Sequence, residues 1–301
     1  MTEMKHPQWK IIDTFDQFLS YWSSAHSIPM TQQIERWQTS YMAKYPKLLE
    51  KQVLDYESQG LDWREIAKEK VFPKLSESLP LMQEARENLL AVCGPIYERA
   101  LQVLGFDFKI VFVIYVGLGC GAGWATRYES HPACLFGLEN IAESGWHTHD
   151  RLQGLVAHEI GHLAHMAWRG EWDSFAEAEQ DPFFQLYSEG FAQRCEHLIL
   201  GDETWHQAQD ESWLPWCKQH KGWLAREYLR RIGKGKFDSI RRDFFGGPWF
   251  DIQGKRQTGY FLGHEFIRWL EREDSLREIA IYSFEDVRER AAQYLQSPDS
   301  A

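Results

Sequence analysis

The chain has 301 residues, of which 44% are hydrophobic and 26% charged, a balance that excludes a disordered tract, a collagen-like repeat and a coiled-coil rod. Its 33 lysines and arginines face 44 aspartates and glutamates, for a formal charge of −11. Such a chain repels phosphate backbones, and its basic pairs Arg230-Arg231 and Arg241-Arg242 are isolated, so nucleic acid is not expected as a partner.

Residues 8–104 read as helices. Within 31–58, Ile34, Trp37, Tyr41, Leu48 and Val53 recur at helical spacing, with Pro46 as a break or kink. Within 79–104, Leu89, Leu90, Ile96, Leu101 and Leu104 repeat the pattern, and Gly94-Pro95 suggests a second interruption. No chemistry-bearing cluster falls in this region. At Phe106 the character changes. Residues 108–116 (FKIVFVIYV) are β-branched and aromatic and predict a strand; 124–128 predict a short strand and 133–141 another. Between them, 117–123 (GLGCGAG) is turn material. A G-x-G-x-G-x-G run after a strand suggests a nucleotide loop, but the succeeding GWATRYESHPA does not start a helix, so a tight turn beside a cleft is expected instead. From Asp150 the pattern is helical to the end, apart from an extended loop predicted over 233–254.

The fold class expected is α+β: a helical region over 1–105, then a domain over 106–301 with a small mixed sheet and a helical back half, the two forming one continuous domain or two. The 14 tryptophans and 15% aromatic residues point to a core filled with wide rings. Cys93, Cys120, Cys134, Cys195 and Cys217 form no C-x-x-C pair, which fits a reducing compartment. The N-terminal MTEMKHPQWK holds no apolar signal segment, and no apolar run approaches the ~20 residues of a membrane helix. A cytoplasmic protein without membrane association is expected; oligomeric state is not legible.

The chemistry lies in residues 151–168 (RLQGLVAHEIGHLAHMAW), whose centre is His158-Glu159-Ile160-Gly161-His162. Two histidines four apart on a helix share a face, so both imidazoles can reach one ion, and the adjacent Glu159 can take a proton from water. Asp150 and Gln153 resemble a capping box at the helix start. A catalytic zinc needs a third protein ligand and an open position. His165 would sit about 10.5 Å along the axis from His158, too far to converge, and is expected in an outer shell or on the surface. His147 and His149 precede the helix and are weaker candidates. Glu189 is favoured: it lies on a helix predicted over 183–200, and Gly190 and Ala192 allow that helix to pack closely on the first. Glu177, Glu179 and Glu196 remain alternatives. Tyr260 and His264, four apart in TGYFLGHEF, are candidates for donating to an oxyanion from a second wall of the cleft.

His158-Glu159-x-x-His162 followed by Ser188-Glu189-Gly190-Phe191-Ala192 resembles the gluzincin metallopeptidases, most nearly bacterial groups described as predicted zinc-dependent proteases of unknown substrate. Gly259-Tyr260-Phe261-Leu262-Gly263 matches their late G-Y-x-x-G segment. The resemblance covers roughly residues 106–270 and implies a zincin-like fold, Zn²⁺ held by His158, His162 and Glu189, and Glu159 as general base acting on a peptide or protein substrate. It also implies that an edge strand before the active helix, a place that residues 133–140 fit, lines the cleft and pairs with substrate backbone. Phe136-Gly137-Leu138-Glu139-Asn140 is similar to the G-x-M-E-N segment of alanyl-aminopeptidase-like members, one residue short and with leucine for methionine. That likeness makes Gly137, Glu139 and Asn140 substrate-binding candidates, with Glu139 taking a free amine. Thermolysin-like members carry an aspartate four residues after the ligand glutamate to orient a zinc histidine; this chain has Gln193 there, and Glu196 is a substitute. Two other functions stay open: a metal-binding module without hydrolytic activity, its site closed by a fourth ligand such as His147 or His149, and a zinc hydrolase of a non-peptide substrate.

Overall fold

A computed structural model describes residues 8–297. Residues 1–7, part of the stretch expected to lack a signal segment, lie outside the described residues, as do 298–301. The chain is α+β, mostly helical, with one four-stranded mixed sheet. It divides into two compact units. One runs up to Glu98 and adds Asp107–Val156; the other comprises Arg99–Phe106 and the chain from Ala157 onward. This division does not follow the change of character at residue 106, because the helices Leu75–Leu104 and His149–Arg169 each contribute residues to both units. No described helix is long and apolar enough to cross a membrane.

The first unit holds the sheet, in the order β1 (Trp9–Asp13), β2 (Ile110–Tyr115), β4 (His131–Gly137), β3 (Gly123–Tyr128). β1 and β4 flank β2 in parallel, with Ile12 opposite Val113 and Val113 opposite Leu135; β3 runs antiparallel to β4. β2 is a nearly continuous apolar run because a central strand is covered on both faces. β3 and β4 meet in a two-residue turn in which Glu129 and Ser130 both take positive φ, the conformation that matches the twist of a hairpin. β1 corrects the expectation of helix from residue 8. Five residues, WKIID, carry too little pattern to stand out beside a long helical stretch, and the segment becomes a strand through pairing with β2, about 100 residues away.

The strand expected over 133–141 ends at Gly137, and Leu138–Ser144 is helical, so Glu139 and Asn140 stand on a helix. Nor is it an edge strand: β4 is hydrogen-bonded to β2 on one side and β3 on the other, which leaves its backbone no free edge for a substrate. The long Leu75–Leu104 helix runs through Gly94-Pro95. Gly94 is needed there for space: a β-carbon would lie 2.6 Å from the Trp9 ring. The aromatic residues do fill a core. Phe15, Phe18, Trp37 and Tyr41 are fully buried, and the Tyr41 hydroxyl is satisfied by Thr14 Oγ1 at 2.6 Å and the Val116 N–H at 3.1 Å.

The second unit is helical. The Pro182–Leu200 helix starts where the Asp181 carboxylate accepts the N–H groups of Phe183 and Phe184, and stops at Gly201 with φ +73°. It packs against the Thr258–Leu270 helix. The stretch 233–254 is not all loop: Phe237–Ile240 and Arg241–Phe245 form helical turns, because Ile240, Phe244 and Phe245 are buried and Phe244 meets the Tyr228 ring edge-on at 4.9 Å. The His149–Arg169 helix begins earlier than Asp150, which lies within its first turn rather than capping it; the Leu152 N–H already bonds the Thr148 carbonyl.

Candidate metal centre

His158 and His162 project from one face of their helix, with ring centroids 4.9 Å apart. Both are buried. Glu189 reaches them from the Pro182–Leu200 helix: its Oε2 lies 3.2 Å from His158 Nε2 and 3.3 Å from His162 Nε2. Glycine and alanine bring the two helices this close. A β-carbon on Gly161 would sit 2.7 Å from Cys195 Cβ and 3.1 Å from Ala192. Gly190, expected to serve this same contact, instead lies against Gly263 of the Thr258–Leu270 helix. Glu159 is buried one residue along, and its charge helps to raise the His162 imidazole and the Tyr260 phenol.

The spacing of the three donors is that of ligands rather than of a tight hydrogen bond. Bonds of about 2.0–2.1 Å to a tetrahedral ion put neighbouring ligand atoms roughly 3.3 Å apart. Imidazole–carboxylate hydrogen bonds run closer, at about 2.7–2.9 Å. His158, His162 and Glu189 therefore could hold a metal ion. The two imidazoles differ in charge. Burial keeps His158 neutral, with its pKa down at about 4. Burial opposes charge on His162 too, but the Glu189 carboxylate outweighs it and raises that imidazole to about 9. Glu189 is held low, at about 2, its burial outweighed by the two imidazoles.

The far nitrogens of the two histidines face a hydroxyl and a carboxylate. His162 Nδ1 lies 3.3 Å from Ser188 Oγ, whose hydroxyl donates to the half-buried Glu179 at 2.5 Å. His158 Nδ1 lies 3.7 Å from Glu196 Oε2, and Glu196 accepts from His206 Nδ1 at 2.7 Å. Second partners of this kind fix the tautomer and orientation of ligating imidazoles. His158, Glu196 and His206 form a second group whose donor atoms lie within 4.8 Å of one another.

Other expected residues fall elsewhere. The Tyr260 ring packs 5.4 Å from that of His158, and burial, with the charges of Glu189, Glu159 and Glu179, keeps its phenol protonated. His264 does not share that wall. It is buried with Nε2 3.1 Å from His197 Nδ1 and its ring 5.1 Å from Trp205, because one further helical turn carries it to a separate polar cluster. Gln193 belongs to the same cluster, donating to the Thr204 carbonyl and accepting from Gln207, and does not serve a candidate ligand. His165 is a core residue, neither outer-shell nor surface: its ring stacks 4.1 Å from Phe191 and meets Tyr187 and Phe175 edge-on. His147, His149 and Glu177 enter neither donor group among the described residues. His206 is not legible in the sequence, as a lone histidine in a turn carries no pattern.

Gly137, Glu139 and Asn140 belong to the first unit and have work of their own there. Glu139 Oε2 accepts the Gly117 N–H at 2.7 Å and its Oε1 the Gly119 N–H at 2.9 Å, while Gln52 Oε1 takes the Leu118 N–H between them at 3.1 Å. Asn140 Nδ2 donates to the Gly119 carbonyl. The glycine loop is thus an anion-binding nest filled by the chain's own carboxylate. A β-carbon on Gly117 would lie 2.4 Å from Gln52 Oε1, which is why glycine stands there. Gly137 likewise admits the Gly121 carbonyl, 2.6 Å from where its β-carbon would be. Burial raises Glu139 to about 7 despite these N–H groups.

The chain matches no protein-family model, no curated protein and no solved structure.

Proposed function

We propose that this protein is a zinc-dependent peptidase of gluzincin type. The observation that carries the reading is the trio itself: two buried imidazole nitrogens at 3.2 and 3.3 Å from one carboxylate oxygen, a donor set and spacing suited to Zn²⁺. Zinc held by His158, His162 and Glu189 would lower the pKa of a water and polarise a carbonyl. Glu159, adjacent to His158, would serve as the base that accepts a proton from the attacking water and returns it to the leaving amine. Tyr260, kept protonated and packed beside His158, donates to the oxygen on which negative charge develops. Glu189 and the histidines bind and orient. The scattered cysteines, with no C-x-x-C pair in the sequence, further favour a reducing, cytoplasmic setting.

The test is Glu159→Gln, assayed on a peptide library and on an ester panel. Zinc content should match the unsubstituted protein, and peptide turnover should vanish. Retained turnover would remove Glu159 as the base. Activity of the unsubstituted protein on esters alone would replace the peptidase by a hydrolase of another substrate.

A further inference from the structure

In the first unit, one face of the sheet is left partly uncovered. The rung Lys10–Val111–Ala133–Thr126 fixes which side chains share that face, because residues paired across strands stand on the same side. A step of two residues along each strand adds Ile12 from β1, Tyr128 from β3 and His131 from β4. At Thr126 the face is covered: the Lys51 ammonium, on the helix Pro46–Ser58, donates to Thr126 Oγ1 at 2.8 Å. Toward the starts of β1 and β2 a cleft of about 240 Å³ lies against Ile12, Val111 and Tyr128, with Lys10, Lys109 and His131 around it. Its floor is apolar. Val111 is the only residue of β2 that is not buried, and Ile12 is half-buried as well, although branched aliphatic side chains belong inside. Its rim is cationic. Lys10 and Lys109 are exposed and have no ion pair among the described residues, and Glu129 is the one acidic group in the lining. His131 is fixed by Nδ1, 2.9 Å from the Glu129 carbonyl, which leaves Nε2 for a ligand. A lysine on the edge strand β1 guards against pairing with another chain. Lys109 has no such task, since it leads into β2, which is flanked on both sides. In a chain of charge −11, two unshared ammonium groups over an apolar floor make a place for an anion.

We propose that this cleft binds a small organic anion, a carboxylate carried on a ring or branched apolar body. The carboxylate meets the Lys10 and Lys109 ammonium groups, and the body lies on Ile12, Val111 and Tyr128. The volume falls below the roughly 300–1,000 Å³ of pockets for drug-sized ligands, so the occupant is a single small molecule rather than a nucleotide-sized cofactor. The floor supplies most of the affinity, since exposed ion pairs are worth little, and the lysines select the charge. The site lies within the first unit and stands or falls independently of the metal reading.

The probe is phenylacetate, and the control is phenylacetamide, which keeps the ring and loses the charge. Each is titrated into the full chain while the methyl NMR signals of Ile12 and Val111 are followed. Phenylacetate should shift both residues saturably, with Kd roughly millimolar or below. Phenylacetamide should bind about 3–10-fold more weakly. Lys10→Gln and Lys109→Gln should each weaken phenylacetate about 2–5-fold and leave phenylacetamide unchanged. Added salt should weaken the acid and not the amide. If a lysine variant fails to fold, the acid–amide comparison and the salt dependence of the unsubstituted protein decide. No saturable shift at either residue up to roughly 10 mM phenylacetate overturns the site. Equal binding of acid and amide, or unchanged affinity in both folded lysine variants, overturns the proposal by removing its anion.

Discussion

Gly190 lies against Gly263 backbone to backbone: a β-carbon built on Gly190 would stand 2.2 Å from the Gly263 carbonyl carbon and oxygen. The converse clash, from Gly263 onto the Leu186 carbonyl, is 2.4 Å. Neither neighbour is the end of a flexible side chain, so a methyl group at either position must separate two helices. One of those helices carries Glu189 and the other Tyr260. Gly263→Ala should destabilise the fold by about 1–3 kcal/mol, the range for overpacking a tight contact, and should weaken metal binding as well. Denaturant unfolding and zinc titration check it; a stable variant with normal zinc affinity would mean that the crossing does not set the site.

Removing a donor should remove the ion. Glu189→Ala leaves His158 and His162 as a two-ligand site and is expected to lose stoichiometric zinc. The unsubstituted protein should gain about 2.7 kcal/mol of stability at a zinc concentration 100 times Kd, and lose it on chelation. Calorimetric melting with and without chelator measures this. A Glu189→Ala variant that keeps full zinc-dependent stabilisation would shift the third ligand to another residue.

Proton release should report the charge of the metal-free site. His162 rests near pKa 9, raised by Glu189 against its own burial, and is therefore protonated at pH 7, whereas His158, near 4, is neutral. Zinc requires both rings neutral. Binding at pH 7 should thus displace one proton, and affinity should rise about tenfold per pH unit up to roughly pH 9 and then level. Below pH 4 a second proton competes, and metal is lost reversibly. Titration calorimetry in buffers of different ionisation enthalpy counts the protons; a count of zero at pH 7 contradicts a charged His162.

Glu139 should make the first unit pH-sensitive. Its carboxyl titrates at about 7 in the fold against 4.5 as the ordinary value, because burial disfavours the anion. The unfolded chain therefore ionises first. Stability is fullest below pH 4.5 as far as this group is concerned, declines between 4.5 and 7, and is level above. The loss amounts to about 3 kcal/mol. Glu139→Gln, which cannot ionise, should flatten that slope. Denaturant midpoints across roughly pH 4–8 decide; an identical slope in both proteins would remove Glu139 as its source.

Tyr260→Phe should keep zinc content unchanged and lower kcat by about 10²–10³, the usual effect of deleting one oxyanion donor. A variant with an unaltered kcat would restrict Tyr260 to packing against His158.

Much of the candidate site can be read along the chain because its parts are local. His158, Glu159 and His162 are fixed by helical periodicity, and the helix expected over 183–200, observed as Pro182–Leu200, presents Glu189. Strands 110–115 and 123–128 are visible from β-branched and aromatic density. β1 is not, since five residues take strand form only once a partner from beyond residue 109 is supplied. Nor can the chain order separate His264 from Tyr260, assign Gly190 to Gly263, or place His165 among rings.

What the sequence determined alone is therefore periodic and short-range: a histidine helix, a carboxylate helix, a small sheet and an acidic composition. Tertiary structure decided which carboxylates meet which imidazole nitrogens, brought His206 behind Glu196, and closed the glycine loop on Glu139. The physical reason is that donor geometry depends on how closely two backbones approach. That distance is set by steric contact between segments far apart in the chain, as at Gly161 with Ala192 and Gly190 with Gly263, and no local pattern encodes it.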